Sequence, residues 1–183
     1  MEKELRAILR DIIETANADD KIKSSFRKRV EKASISVADD PISHFCVYSA
    51  AYDPENKLVF IGRHKKAGLW LFSGGHMEKD ETPAQALKRE IAEEWGMDLE
   101  VGNYKPSLLA ITNIISNPAG RPCRTHYDIW FFIPQNSETF TPDKKLFEDE
   151  FYEFGWKTFN EARRLTEDPN TAIAINEIEK ISK

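Results

Sequence analysis

The stretch Thr82–Gly96 is the most tightly specified part of the chain. Thr82 stands where a helix N-cap is expected. Pro83 takes the first helical position, where its missing N–H costs nothing, and Gln85, three residues after Thr82, completes a capping box. Gly96 supplies a left-handed C-cap. The spacing therefore predicts a helix from Pro83 to Trp95. Ala84, Leu87, Ile91 and Trp95 form one apolar stripe suited to packing on a sheet. Glu90, Glu93 and Glu94 share another face, roughly 100° round from the stripe and so at the rim of the packed surface. Like charges at these spacings repel by about 0.2–0.5 kcal/mol per pair in an isolated helix. The next turn holds Met97 and Asp98 and supplies no compensating cation. A hard divalent cation would offset the repulsion; without one, such a run is a solvated acidic face.

The rest of the chain alternates strands and helices without a regular βαβ period, which predicts a mixed sheet with helices packed on it. Leu5, Ile8, Leu9, Ile12, Ile13 and Ala16 recur at helical spacing. Asn17–Asp20 breaks the run and restarts it, and Ile22, Phe26 and Val30 continue a second amphipathic helix. Asp39-Asp40-Pro41 marks a boundary, so residues 1–40 read as a helical extension and 41–183 as the main domain. His44–Tyr52 and Lys57–His64 read as strands joined by the turn Asp53-Pro54-Glu55-Asn56. Leu69–Phe72 is a short apolar run before a glycine loop, Ser73-Gly74-Gly75, where backbone can approach a ligand. Leu108–Ile115 and Thr125–Ile133 are further strands, separated by the polar loop Ser116–Arg124. Pro134–Asp149 reads as an acidic loop, Phe151–Thr158 as a strand, and Asn160–Leu165 and Thr171–Ile181 as helices.

Composition excludes several classes of protein. The 183 residues, 40% hydrophobic and 31% charged, suit one globular domain with a modest extension. A net charge of −5 argues against nonspecific nucleic-acid binding. The N-terminus breaks its apolar residues with charges, and no run is long enough to span a bilayer, so a cytoplasmic protein with no membrane partner is expected. Cys46 and Cys123 form no CxxC pair to suggest zinc, and read as two reduced thiols.

Gly75, Glu81, Arg89-Glu90-Ile91-Ala92-Glu93-Glu94 and Gly96-Met97 resemble the motif of Nudix hydrolases at every specified position: glycine, five residues, glutamate, seven residues, Arg-Glu, an aliphatic residue, any residue, Glu-Glu, any residue, glycine, aliphatic. A looser resemblance extends over about residues 42–166. It implies a Nudix-type α/β/α sandwich with a mixed sheet. It also implies a hydrolase cleaving a phosphoanhydride bond in a nucleoside diphosphate linked to another group, using Mg²⁺ or, as a substitute, Mn²⁺. Carried over, Glu90, Glu93, Glu94 and the Gly75 carbonyl would hold the metal, with Glu81 and Arg89 orienting them. The family often recruits an acid from a later loop, and Glu150, at the junction with the strand from Phe151, is the choice for a catalytic base.

Substrate contacts are less defined. Arg63, His64, Lys65 and Lys66 before the motif, and Arg121 and Arg124 in the later loop, are candidates to meet phosphates. Each is also an ordinary surface residue. His126 and Asp128 share a strand face, in a pocket or exposed to solvent. Trp70, Tyr127 and Trp130 would stack on a base or fill the core. The same fold also serves isomerases of diphosphate esters and catalytically silent ligand-sensing or protein-binding modules; the intact motif disfavours both. Oligomeric state is open, with a homodimer the first expectation.

Overall fold

The computed structural model describes residues 2–114, 120 and 122–182. In chain order the described α-helices and β-strands are α1 (Glu2–Thr15), α2 (Asp20–Glu31), β1 (Ser43–Asp53), β2 (Leu58–His64), β3 (Trp70–Leu71), β4 (Ser73–His76), α3 (Pro83–Trp95), β5 (Pro106–Asn113), β6 (Thr125–Pro134), α4 (Lys144–Glu150), β7 (Phe151–Thr158), α5 (Phe159–Leu165) and α6 (Pro169–Ile181). No described helix is long and apolar enough to cross a membrane.

The strands form one mixed sheet in the order β3-β2-β1-β6-β5, with β4 paired to β1 and β7 to β2. β1 and β6 run parallel from Ser43↔Thr125 to Tyr52↔Pro134. β1 is long enough to pair with β4 over Cys46–Ser49 and with β2 at Tyr52 and Asp53. Side chains alternate across a strand, so β1 serves two cores. Phe45, Val47 and Ala51 pack in one buried cluster with residues of α1, α2 and α3, while Ala50 and Tyr52 pack in a second with α5 and α6. The result is the expected α/β/α sandwich.

Local signals explain the helix ends. Asp19 caps α2, accepting from Ile22 N at 2.8 Å, as the break at Asn17–Asp20 led one to expect. Leu9, Ile13, Phe26 and Val30 are at most 1% exposed and share a cluster with Phe45 and Ile129. Asn17, between the two helices, donates its N–H to Ser107 O and accepts from Leu109 N, covering part of the β5 edge.

Two expectations are corrected. The segment Pro134–Asp149 is not a continuous loop: Asp143 accepts from Lys145 N and Leu146 N and starts α4, whose Phe147 is buried against Phe60 and Phe151. A seven-residue helix with one fully buried apolar residue has too little periodicity to be read from sequence. Ser73-Gly74-Gly75 is not a loop but part of β4, because tertiary pairing with β1 overrides the weak strand preference of glycine. Ile115, the last residue of the strand expected from Leu108, lies outside the described residues, as do residues 116–119 and 121 of the loop after it.

Candidate active site

α3 spans Pro83–Trp95 with the capping box from Thr82 and Gln85 formed and Gly96 left-handed at φ 64°. Its Leu87, Ile91 and Trp95 are buried, which lays the helix on the sheet beside β4. The acidic face is then not at the rim. Glu90 and Glu94 are each only 8% exposed, and Glu93 alone reaches solvent, its side chain 59% exposed. Gly75 faces this helix, and a Cβ there would overlap the Glu90 carboxylate. Glycine is therefore required by a side chain fifteen positions later.

Two of the three acids, Glu90 and Glu93, are not left uncompensated as the sequence suggested. Arg89 forks between them. Its Nε and Nη2 donate to the two oxygens of Glu81 at 2.8 and 3.0 Å, Nη1 to Glu90 at 2.6 Å and to Glu93 at 3.2 Å, and Nη2 also to the His76 carbonyl at 2.9 Å. A planar guanidinium can serve this many acceptors at fixed angles; an ammonium cannot. Burial works to raise the Glu81 carboxyl pKa, but Arg89 and the Glu78 N–H outweigh it and hold it below its usual value. Glu94 lies beyond the reach of Arg89. It accepts from Gly74 N at 3.2 Å, and burial, then the neighbouring Glu90, pushes its pKa up to about 8. Burial also raises that of Glu90, against the pull of Arg89.

A second group adjoins the first. Glu150, at the end of α4, accepts from Lys66 Nζ at 2.7 and 2.8 Å, and His64 Nε2 lies 3.7 Å from it. Its charge acts on Glu94, and Glu150 gathers Lys66 and His64, two of the residues expected to meet phosphates. Lys65 donates to the Glu148 carbonyl. Arg63 and Arg124 are exposed, and neither pairs with these carboxylates. Arg121 lies outside the described residues. Trp70, at 9% exposed, and Trp130, at 1%, are core residues, and Tyr127 packs on Phe26 and Phe45. Asp128 is fully buried rather than exposed. Sequence reasoning missed the Gly74 N–H and the Ser73 side chain, both of which bond Glu94; their position next to Gly75 was the available signal.

A helical sandwich on a mixed sheet, with a carboxylate-bearing helix set on a glycine strand, is the class of domain the motif implied. The model of the NUDIX domain matches residues 43–177, and the chain belongs to the NUDIX family. It is 41% identical over 64 residues to the CTP pyrophosphohydrolase of Escherichia coli (strain K12), a match covering 33% of this chain and 47% of that protein. It thus spans about half the length of that relative. It is 32% identical over 108 residues to the nucleoside triphosphatase NudI of Enterobacter sp. (strain 638), covering 54% of this chain and 74% of that one. In fold it is similar to the dihydroneopterin triphosphate pyrophosphohydrolase of E. coli, with a TM-score of 0.57 at 19% identity over 73% of this chain and 92% of that one.

Proposed function

We propose that this chain hydrolyses a phosphoanhydride bond in a nucleotide-like small molecule, with Mg²⁺, or Mn²⁺ in its place, held by Glu90, Glu93, Glu94 and the Gly75 carbonyl. The observation that carries this reading is the burial of Glu90 and Glu94 together, on a helix whose Arg89 bonds Glu90 while, among the described residues, no guanidinium bonds Glu94. Burying a carboxylate without a partner of opposite charge is costly, and an all-oxygen donor set suits a hard divalent cation. The space left by the missing Gly75 side chain is filled by the Glu90 carboxylate, which fits the same role.

When bound, the cation neutralises phosphate charge and lowers the pKa of an attacking water. The chain's own residues do the rest. Arg89, anchored by both oxygens of Glu81, sets the orientation of Glu90 and Glu93. Glu150 takes the proton of the attacking water; Lys66 holds its carboxylate and is released toward a phosphate when substrate enters. His64, Arg63 and Arg124 are further phosphate contacts. The names of two relatives, a CTP pyrophosphohydrolase and a nucleoside triphosphatase, support trying nucleoside triphosphates first.

The test is a panel of nucleoside triphosphates, nucleotide sugars and dinucleoside polyphosphates, read by mass spectrometry of products, with metal-stripped protein and with added Mg²⁺. Hydrolysis should require the cation and fall by orders of magnitude in Glu94→Gln, with the fold kept. Undiminished turnover after metal removal would overturn the reading.

A further inference from the structure

Successive residues of β4 look to opposite faces of the sheet. Gly75 faces Glu90, so His76 faces the other way. On that other face the parallel register of β1 and β6 sets His44 beside His126, and β4 places His76 opposite Cys46. Three strands thus collect three imidazoles on one patch. Ring centroids are 4.4 Å apart for His44 and His76, 4.9 Å for His76 and His126, and 5.0 Å for His44 and His126. Cys123, just before β6, brings its Sγ to 3.9 Å from His44 Nε2 and 4.0 Å from His76 Nε2. One ligand atom from each of the four lies within 4.8 Å of all the others.

Ring packing and thiol–imidazole hydrogen bonds alone would also hold such a group together. Three features favour a metal ion. His44 Nδ1 is bonded to the Asp40 carbonyl at 2.9 Å, which makes Nδ1 the protonated nitrogen and turns the Nε2 lone pair toward Cys123, the arrangement usual for a metal-binding histidine. The separations are close to those a tetrahedral zinc ion imposes: bonds of about 2.3 Å to sulfur and 2.0–2.1 Å to nitrogen place S and N roughly 3.6 Å apart, a few tenths less than found here. Finally, Asp128, buried with its Oδ1 lacking a hydrogen-bond partner, lies beside His126, an unsatisfied buried acceptor next to the site.

We propose that His44, His76, Cys123 and His126 form a binding site for a four-coordinate transition-metal ion of borderline softness, zinc first. Four protein ligands close the tetrahedron, which is the pattern of a structural rather than a catalytic zinc site. Nitrogen and sulfur donors separate it from the oxygen-lined carboxylate cluster on the far side of β4. Binding displaces the Cys123 thiol proton and ties the entry of β6 to β1 and β4. It also fixes His76, whose carbonyl accepts from Arg89. The alternative group Cys46, His126 and Asp128 shares one histidine, offers three ligands, and has its carboxylate already bonded by Thr112.

The test is Co²⁺ titration of the metal-stripped full chain in excess Mg²⁺, which competes for the carboxylates. Wild type should take up one equivalent, with the near-ultraviolet thiolate-to-cobalt band and the strong visible bands of tetrahedral Co²⁺, both displaced by Zn²⁺. Cys123→Ser should lose the thiolate band, His44→Gln should lose the tetrahedral visible bands, and Cys46→Ser should keep both. Zinc should raise the Tm of wild type and leave that of Cys123→Ser unchanged. X-ray absorption of the wild-type zinc form, which needs no variant to fold, should show one sulfur among the ligands. No thiolate band in wild type, a band that survives Cys123→Ser, its loss in Cys46→Ser, or a zinc shell without sulfur would each overturn the proposal.

Discussion

Gly75 and Glu90 are packed so closely that any side chain on the first displaces the carboxylate of the second. The backbone of Gly75 is not in the left-handed region, so Gly75→Ala is conformationally allowed and its effect falls on Glu90. The added methyl should push Glu90 off its 2.6 Å bond with Arg89. The Mg²⁺ concentration for half-maximal activity should rise by about 10–100-fold, as for other changes that misorient a metal ligand, while the circular dichroism stays that of wild type. An unchanged Mg²⁺ titration would show that Glu90 does not hold the cation.

Glu150 is the carboxylate of the 148–153 segment that touches the site group, through Lys66 and His64. Glu148 and Glu153 are more exposed and pair with Lys144 and Lys157 instead. Glu150→Gln should lower kcat by about 10²–10⁴-fold, the usual contribution of a general base, with KM little changed. Glu148→Gln and Glu153→Gln should behave as wild type. Equal losses in all three would point to a general electrostatic effect and away from proton transfer at Glu150.

Asp53 carries a pH-dependent part of the stability. It is 1% exposed and accepts from the N–H groups of Glu55, Asn56 and Ser137 and from the Asn56 amide, at 2.7–2.9 Å. Burial opposes its ionised form, but the bonds from Asn56 and Ser137 outweigh burial and hold its pKa well below 3.8. A depressed carboxyl pKa stabilises the fold fully above the unfolded value of about 3.9 and loses that stabilisation as pH falls through the folded value. Asp53→Asn should therefore cost about 1.5–3 kcal/mol at neutral pH, and the gap to wild type should narrow below about pH 4. Denaturant melts of both proteins across pH 3–7, on the scale set by that unfolded value, check this; a gap independent of pH would rule out the charge as its source.

Phe26 of α2 packs edge-on against Phe45 of β1 and Tyr127 of β6, at 5.5 and 5.2 Å between centroids. It is 1% exposed. Phe26→Ala should destabilise the chain by about 3–5 kcal/mol, the usual cost of emptying an aromatic site in a core, and removal of Met1–Lys32 should cost more. A truncated chain that melts like wild type would show that the first two helices are dispensable to the core.

What the sequence determined by itself is what local hydrogen bonds and short spacings encode. The ends of α3 are written in Thr82, Pro83, Gln85 and Gly96, because caps are satisfied within four residues of the helix they close. The turn at Asp53–Asn56 and the restart at Asp19 are legible for the same reason, and the sandwich followed from matching the motif. Tertiary structure alone decided the features whose partners are far apart in sequence. Burial of Glu90 and Glu94 depends on how α3 lies against β4, and a helical period shows a rim without showing what covers it. The fork of Arg89 reaches the His76 carbonyl as well as three acids. Glu150 meets Lys66 across eighty-four residues because α4, hidden in an acidic stretch, ends beside the end of β2. His44, His76, Cys123 and His126 share no spacing that reads as a metal motif. They meet because the parallel register of β1 with β6, and the antiparallel register of β4 with β1, turn side chains from separate strands onto one face, and strand register is set by the whole core rather than by any segment of the chain.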